Sequence, residues 1–251
     1  METVEQLIVA ARAAGVAELC WSSPTGTPRA TAVVPLHHEG VPALALHPSQ
    51  WDSARELAAC PEVALVLSDR RMAQRGWQPG AGYGAMRLVV DADGSVFSGS
   101  LLDQELRKHP PSRSFADSSL LRREHWWFLP RLLLVWQPAR VHPVAERTDP
   151  GREGVLVVAA AGGGLTVDTV DASGRSLSGR AAVDLLHDFS VPDLERWGRQ
   201  QLAGTWDGAA LVGAPQPATP VLPRPPRLIE RVRRHRSLER ECVRALKAMS
   251  P

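Results

Sequence analysis

Residues 22–67 alternate turn-forming and strand-forming segments, and this alternation constrains the fold more than any other feature of the chain. The segment SSPTGTP is dense in turn formers, and HHEG separates two apolar stretches that are predicted strands at 29–36 and 42–47. Residues 49–59 change to a helical period, and a short apolar strand follows at 62–68. Short strands joined by tight turns are typical of an antiparallel sheet or barrel.

The flanking segments extend this pattern to about six strands. The sequence predicts a helix at 3–14, then strands at 16–22 and 85–91. Helices at 101–108 and 116–125 and a strand at 126–142 follow. A polar, Gly-rich connection, RRMAQRGWQPGAGYGA, precedes the strand at 85–91. It contains Trp77 and Tyr83, which are candidates either to cover a bound cofactor or to lie in an exposed loop.

The polar segment AERTDPGREG, residues 145–154, is the best candidate for a linker. We therefore divide the chain into a first domain, residues 1–147, and a C-terminal accessory region, residues 148–251. In this region the sequence predicts a hairpin, mostly helical structure at 180–203, a Pro-rich spacer and a basic amphipathic helix at 227–249. The predicted fold class is α+β, mainly β, with a C-terminal α+β extension.

The charge distribution argues against nucleic acid as a partner of the body of the protein. Residues 223–251 hold nine Lys/Arg and three Asp/Glu, whereas the remainder holds 20 and 24. No apolar run approaches the roughly 20 residues of a membrane helix, and the N-terminal segment lacks the pattern of a secretion signal. Three widely spaced cysteines form no CxxC pair, which favours buried thiols in a reducing compartment. We expect a cytoplasmic protein with no membrane partner.

Motifs of several enzyme classes are missing from the sequence. It contains no HExxH, no P-loop and no GxSxG elbow, which argues against zinc proteases, P-loop NTPases and α/β-hydrolases. The segment AGGGL at 161–165 lacks the spacing of a dinucleotide fingerprint and is predicted to be a hairpin turn. His37 and His38 would face opposite sides of a strand, and His109 and His125 belong to no motif, so we predict no metal site.

Two arginines and several hydroxyl side chains surround the β unit of residues 22–67. Strand alternation puts Arg29, Thr31 and Val33 on one face, and Arg55 lies on the following helix. Guanidinium forks and hydroxyl donors are the groups with which proteins bind phosphate, so this arrangement suits an anionic cofactor. The candidate cofactor-binding residues are Arg29, Thr31, Val33, His47, Ser49, Trp51, Ser53 and Arg55.

Residues from about 3 to 145 resemble the pyridoxamine 5′-phosphate oxidase-like family of flavin-binding split barrels. The likeness lies in the order of TGTPRATAVVPL, VPALALHPS and ARELAACPEVALVL, with Cys60-Pro61-Glu62-Val63 where family members carry Asn/Asp-Pro-x-Val. The resemblance implies a six-stranded antiparallel split β-barrel that forms a homodimer, with FMN in a groove at the subunit interface. It also implies an oxidoreductase that acts on a small molecule. Related members use the deazaflavin F420 or bind haem instead.

Ser53 departs from the pattern of that family. Many members place a lysine four residues before the leucine of the short helix; that leucine is Leu57 here, and the position is Ser53. The missing cation leaves FMN, F420 and haem open as cofactors, with Arg55 as a substitute cation for phosphate and His47 as the candidate axial ligand for haem. A non-catalytic dimeric scaffold is the remaining alternative. The sequence identifies neither the substrate nor a catalytic acid or base.

Overall fold

The structure is a computed structural model that describes residues 1–113, 126–150, 152–159, 164–169, 180–207, 211–213 and 220–249. Within these residues the chain forms two antiparallel β-sheets with a few helices around them, which confirms the predicted mainly β fold class. The helix predicted at 116–125, His125 and most of the AGGGL segment lie outside the described residues.

The first sheet holds seven strands: β1 Ala17–Ser22, β2 Pro28–Val33, β3 Leu36–His38, β4 Val41–Leu46, β5 Val63–Leu67, β6 Gly80–Asp91 and β7 Arg131–His142. Their order is β2-β1-β5-β6-β7-β4-β3, so β2 and β3 are the two edges. Only Val34 and Pro35 connect these edges, and the three Cα steps from Val33 to Leu36 span at most about 11 Å. The sheet therefore curls into a half-barrel that is open along one seam. It has seven strands rather than the predicted six because β3 is a separate short strand beyond Pro35.

Three helices pack on the half-barrel close to their predicted positions: α1 Val4–Ala13, α2 Trp51–Ala59 and α3 Leu102–Lys108. The Thr3 hydroxyl accepts a hydrogen bond from the Gln6 N–H at 3.2 Å, which begins α1 with a capping box. A 3₁₀ turn, Pro48–Gln50, precedes α2, so α2 begins later than the predicted residue 49 and Gln50 is its N-cap. The polar groups of this turn and the buried face of α2 lie next to the seam.

The last part of the Gly-rich connection predicted before the strand at 85–91, residues 80–85, belongs to that strand, since β6 begins at Gly80. A Cβ atom at Gly82 would lie 2.0 Å from Leu7 Cδ2, and one at Gly84 would lie 2.0 Å from the Gln137 carbonyl oxygen. Gly84 also stands at a shift in the register between β6 and β7. Glycine is therefore required here for close packing inside a sheet, which corrects the exposed loop expected from composition.

The second sheet holds β8 Val155–Ala159, β9 Leu165–Thr169, β10 Arg180–Phe189, β11 Trp197–Trp206 and β12 Leu211–Val212, in the order β12-β11-β10-β8-β9. The hairpin predicted after the linker is confirmed as β8 and β9. The helical structure predicted at 180–203 is wrong, because this segment forms the long antiparallel pair of β10 and β11. β10 is rich in alanine and leucine and is buried on both faces, so it shows no alternation and its composition favours a helix.

The two sheets pack against each other through an apolar layer that contains Cys20, Ala30 and Val66 from the first sheet and Val157 and Val183 from the second. The Tyr83 hydroxyl accepts a hydrogen bond from the Val167 N–H at 3.1 Å across this layer. Tyr83 is buried and joins the sheets, so it is not a residue of a loop that covers a cofactor. Trp77 is likewise packed in the core of the half-barrel.

A buried polar network also joins the sheets, and we call its residues Glu18, Ser68, Asp69, Arg147 and His187 the interlayer network. Glu18 Oε1 accepts a hydrogen bond from Ser68 Oγ at 2.8 Å and lies 2.7 Å from His187 Nε2. Arg147 Nη2 lies 3.3 Å from both Glu18 Oε1 and Asp69 Oδ2. Burial acts to raise the pKa of Glu18, but the hydrogen bond with His187 and the charge of Arg147 outweigh it and hold this pKa below its ordinary value.

The C-terminal helix predicted at 227–249 is confirmed as α4, Leu228–Met249. It packs on the half-barrel through the buried Cys242, which joins an apolar cluster with Phe97, Phe128 and Leu133. The first sheet ends at residue 142 and the second begins at residue 155, while α4 returns to the first sheet. The domain division at residue 147 stays a prediction. Among the described residues, no helix is both long enough and apolar enough to cross a membrane.

Candidate functional site

A cavity of about 720 Å³ lies along the open seam of the half-barrel, between the edge strand β2 and the end of β4. We call it the seam cavity. Five of the eight candidate residues from the sequence line it: Arg29, Thr31, Val33, His47 and Ser53. The seam provides this space because the edge strands of the curled sheet approach each other without pairing. Edge strands of open sheets and barrel mouths are common positions for ligand sites.

One wall of the seam cavity is cationic. Arg29 on β2 and Arg199 on β11 both line it, although the two residues belong to different sheets. The Gln201 side-chain amide donates a hydrogen bond to the Ala30 carbonyl oxygen, which holds β11 against the edge of β2. Arg29 Nε is 3.9 Å from Glu56 Oε1, and the Arg29 side chain is 55% exposed, so this ion pair is weak. The two guanidinium groups are therefore available to an anionic ligand.

The wall beside the arginines combines hydroxyl groups with apolar side chains. The pairing of β1 with β2 places Leu19 opposite Thr31 and Trp21 opposite Arg29, so these four residues share one face of the sheet. Trp21 Nε1 donates a hydrogen bond to Glu56 Oε1 at 2.8 Å, which fixes the indole beside Arg29. The remaining lining of this part is mostly aliphatic, from Val33, Leu44, Leu46 and Leu57. Such a surface accommodates a flat apolar body next to an anionic group.

His47 lies at the end of β4 and lines the seam cavity. Its Nδ1 atom is buried and has no hydrogen-bond partner among the residues that the structure describes. Burial, and then the charges of Arg131 and His109, lower the pKa of His47 to about 3. The imidazole is therefore neutral at neutral pH. A neutral imidazole with an unpaired nitrogen is either a hydrogen-bonding group or a metal-ligating group for a molecule in the cavity.

A second polar group in the seam cavity comes from the segment after β6, and we call its residues Glu105, Ser112 and His109 the relay. Ser112 Oγ donates a hydrogen bond to Glu105 Oε1 at 2.6 Å and lies 3.0 Å from His109 Nδ1. All three residues line the cavity. Burial lowers the pKa of His109, and the charge of Glu105 opposes this only in part. The relay therefore presents a neutral histidine at neutral pH.

Three of the candidate residues do not line the seam cavity. Ser49 lies in the 3₁₀ turn before α2 and hydrogen-bonds to the Cys242 thiol of α4. Trp51 is the first residue of α2, and Arg55 lines a separate shallow depression beside Asp52 and Leu88. On a helix, residues 53 and 57 share one face, whereas residue 55 is turned away from it by about 200°. Arg55 therefore lies outside the seam cavity that Ser53 lines.

Sequence reasoning missed the relay and Arg199. Glu105 lies in the helix predicted at 101–108 and His109 and Ser112 follow it, and nothing local indicates that they approach β2 or β4. Arg199 and Gln201 lie in the segment that was predicted to be helical, so their position beside β2 could not be predicted. In the structure every second residue from Gly198 to Trp206 is more buried than its neighbours, but the residue types at these positions, Gly, Gln, Leu, Gly and Trp, form no apolar period. Among the described residues, no group of three His, Cys, Asp or Glu side chains is arranged to hold a metal ion.

No protein-family model and no curated protein matches the chain. Similar solved structures include HutZ, the heme storage protein from Vibrio cholerae, at 10% identity and a TM-score of 0.35, over 57% of this chain and 95% of that chain. A heme binding protein from Mycobacterium smegmatis aligns at 14% identity and a TM-score of 0.35, over 97% of each chain.

A pyridoxamine 5′-phosphate oxidase-related, FMN binding protein from Nostoc punctiforme aligns at 12% identity and a TM-score of 0.29, over 78% of this chain and 90% of that chain. The three TM-scores lie below 0.5. We therefore infer the function from the residues of this chain.

Proposed function

We propose that this protein binds FMN in the seam cavity and is a flavin-dependent oxidoreductase that acts on a small molecule. The observation that carries the proposal is the combination, in one cavity, of two guanidinium groups and an apolar wall. Arg29 and Arg199, with the hydroxyls of Thr31 and Ser53, would hold the phosphate. The volume of about 720 Å³ is within the range of about 300–1,000 Å³ that is usual for small-molecule sites.

The flavin would supply the two-electron chemistry, and the protein would supply binding, orientation and control of solvent. Leu19, Leu44 and Leu57 would exclude water from one side of the bound molecule. The deazaflavin F420 carries an anionic tail as well and would use the same arginines. We further propose a homodimer, because an open seam at the edge of a sheet is a position that a second copy can cover.

The affinity for FMN tests the role of the cationic wall. We expect Arg29→Ala to weaken FMN binding by about tenfold, because a charge-assisted hydrogen bond to phosphate contributes about 1.5 kcal/mol or more. The double variant Arg29→Ala, Arg199→Ala should lose about 100-fold. Quenching of flavin fluorescence on titration of the protein gives both values. Riboflavin, which lacks the phosphate, should bind the three proteins with equal affinity.

Arg55→Ala is the matched control, because it removes the same side chain from the same β unit but outside the seam cavity. We expect its affinity for FMN to stay within about twofold of the wild type. Equal losses in Arg29→Ala and Arg55→Ala, or an equal loss for riboflavin, would contradict a phosphate site at the cationic wall.

Haem binding is the second candidate, and the unpaired Nδ1 atom of His47 favours it. The donor set fits, because a neutral imidazole is a usual axial ligand of haem iron. On titration with haemin we then expect a sharp Soret band that His47→Ala shifts or abolishes. His38→Ala is the control, since His38 does not line the seam cavity and faces Glu39. A protein that binds neither FMN, F420 nor haemin would be the non-catalytic dimeric scaffold.

A further inference from the structure

The hydrogen bonds of the relay fix the tautomer of His109. The hydroxyl proton of Ser112 is donated to Glu105 Oε1 at 2.6 Å, because a carboxylate only accepts. The Ser112 oxygen must then accept the bond from His109 Nδ1, which lies 3.0 Å away. Neutral His109 therefore carries its proton on Nδ1 and its lone pair on Nε2. A carboxylate that orients an imidazole through hydrogen bonding is the arrangement by which enzymes prepare a histidine for proton transfer.

Glu105 faces a buried cation at the base of the relay. Its Oε1 atom lies 3.8 Å from Arg131 Nη2, and the Arg131 side chain is fully buried. The Arg131 guanidinium stacks on the rings of Phe97 and Phe128 at 3.9 and 4.1 Å from their centroids. A carboxylate in such surroundings stabilises a positive charge on His109 when the imidazole takes up a proton.

The relay faces the seam cavity from a different part of the fold than the cationic wall. The arginines come from β2 and β11, whereas His109 follows α3. A molecule in the cavity is thus presented with anion-binding groups from one pair of strands and with an oriented imidazole from another segment. Neither the sequence motifs nor the phosphate site accounts for the second group.

We propose that His109 is the proton-transfer group of the seam cavity, oriented by Ser112 and Glu105. In the step, His109 Nε2 takes the proton of an O–H or N–H group of the bound small molecule; that bond breaks, an N–H bond forms, and the imidazolium is balanced by Glu105. The substrate class is then an alcohol or amine that carries a hydrogen on the carbon next to its O–H or N–H group. Oxidation would break that C–H bond and transfer its hydride to the flavin, so this class rests on the proposed function, whereas the orientation of His109 does not.

If the role of His109 is purely structural, a different outcome is expected. His109 and Ser112 are three residues apart, and the contact between their side chains also spans the short 3₁₀ turn Pro110–Ser112. If bracing this turn is the whole role of His109, its Nε2 atom is neither reactive nor affected by a ligand in the cavity. His187, which is fully buried in the interlayer network, is the internal standard for such an unreactive histidine.

Two measurements on the full chain test the proposal. Diethyl pyrocarbonate acylates unprotonated imidazole nitrogens, and peptide mass spectrometry locates the modified residue. We expect His109 to react at least about tenfold faster than His187 at pH 7 and to be protected at least about fivefold by saturating FMN. Nitrogen-15 NMR of labelled histidines should show the Nδ1–H tautomer of His109 in the wild type.

In Ser112→Ala, His109 should populate both the Nδ1–H and the Nε2–H tautomers. In Ser112→Thr, which keeps the hydroxyl, His109 should be in the Nδ1–H tautomer as in the wild type. An Nε2–H tautomer in the wild type, or reactivity of His109 as low as that of His187, would overturn the proposal. If FMN does not bind while His109 shows the expected tautomer and reactivity, the proposed function fails and the proton-transfer site stands. If FMN binds without protecting His109, the proton-transfer site fails and the phosphate site stands.

Discussion

The interlayer network contains the three side-chain types of the relay, a glutamate, a serine and a histidine, in different surroundings. In both, the serine hydroxyl donates to the carboxylate, at 2.8 Å for Ser68 and 2.6 Å for Ser112. In the network, His187 contacts Glu18 directly and Arg147 occupies the remaining space. In the relay, His109 is connected to Glu105 only through the serine, and it lines a cavity.

This difference shows that access to a ligand, and not the set of residue types, separates a structural cluster from a candidate site. Every charge of the interlayer network faces an opposite charge within a region that excludes solvent, so its contribution is to hold two sheets together. In the relay, the Nδ1 atom of His109 is hydrogen-bonded to Ser112, and His109 lines the seam cavity. We therefore expect substitutions in the network to affect mainly stability and substitutions in the relay to affect mainly reactivity.

The largest effect should come from Arg147→Met, which removes the guanidinium partner of the buried Glu18 and leaves Asp69 paired with Arg71 alone. Removal of one partner of a buried pair costs about 3–5 kcal/mol, which lowers the melting temperature of a protein of this size by about 10 °C. Thermal unfolding followed by circular dichroism measures it. Arg152→Met is the control, because Arg152 is 85% exposed and lies 3.7 Å from the exposed Asp149. Equal melting temperatures of the two variants would contradict a stabilising role of the interlayer network.

The same substitution in both regions tests the comparison directly. Ser68→Ala takes a shared hydroxyl from two charged groups, Glu18 and Arg147, and should lower the free energy of unfolding by about 2–3 kcal/mol. Ser112→Ala acts next to a cavity that water can enter, and should cost about 1 kcal/mol. Urea unfolding of both variants gives the two values. A larger loss for Ser112→Ala would mean that the relay is the more structural of the two clusters.

The half-barrel could be predicted because its signals are local. Turn formers and apolar runs within residues 22–67 determine where the strands begin and end. Several paired strands, such as β1 and β2, are also consecutive in the chain. The second sheet escaped prediction because β10 is buried on both faces and is rich in helix-favouring residues. In β10, burial in the folded protein outweighs the helix propensity of the individual residues.

The seam cavity could be predicted on one side only. Strand alternation correctly grouped Arg29, Thr31 and Val33 on one face, since that grouping depends on β2 alone. The relay depends on a contact between residues 67 positions apart, in which the Gln104 side chain exchanges two hydrogen bonds of 2.9 Å with the backbone of His37. These bonds hold α3 along β3, and no pattern in either segment indicates them.

The smallest effect that we predict concerns Asp184, a carboxylate on the same strand as His187 that the network does not neutralise. Among the described residues, Asp184 Oδ1 has no hydrogen-bond partner. Burial raises the pKa of Asp184 to about 6, although the charge of Arg147 opposes this. Because the folded protein then binds the proton more tightly than the unfolded chain, stability is lost as the pH rises from about 4 through 6.

Asp184→Asn should therefore stabilise the protein at pH 8, by about 1 kcal/mol, and have no effect near pH 4. The value is below the roughly 3 kcal/mol that the full pKa shift implies, because the neutral amide is also buried without a partner. Asp188→Asn, on the same strand, is the control: Asp188 Oδ1 lies 2.6 Å from Arg71 Nη1, so this variant should lose stability at pH 8. Urea unfolding at both pH values measures these effects. A loss of stability in Asp184→Asn at pH 8 would show that Asp184 belongs to the closed network, and the network would then extend one residue further along β10 than its contacts indicate.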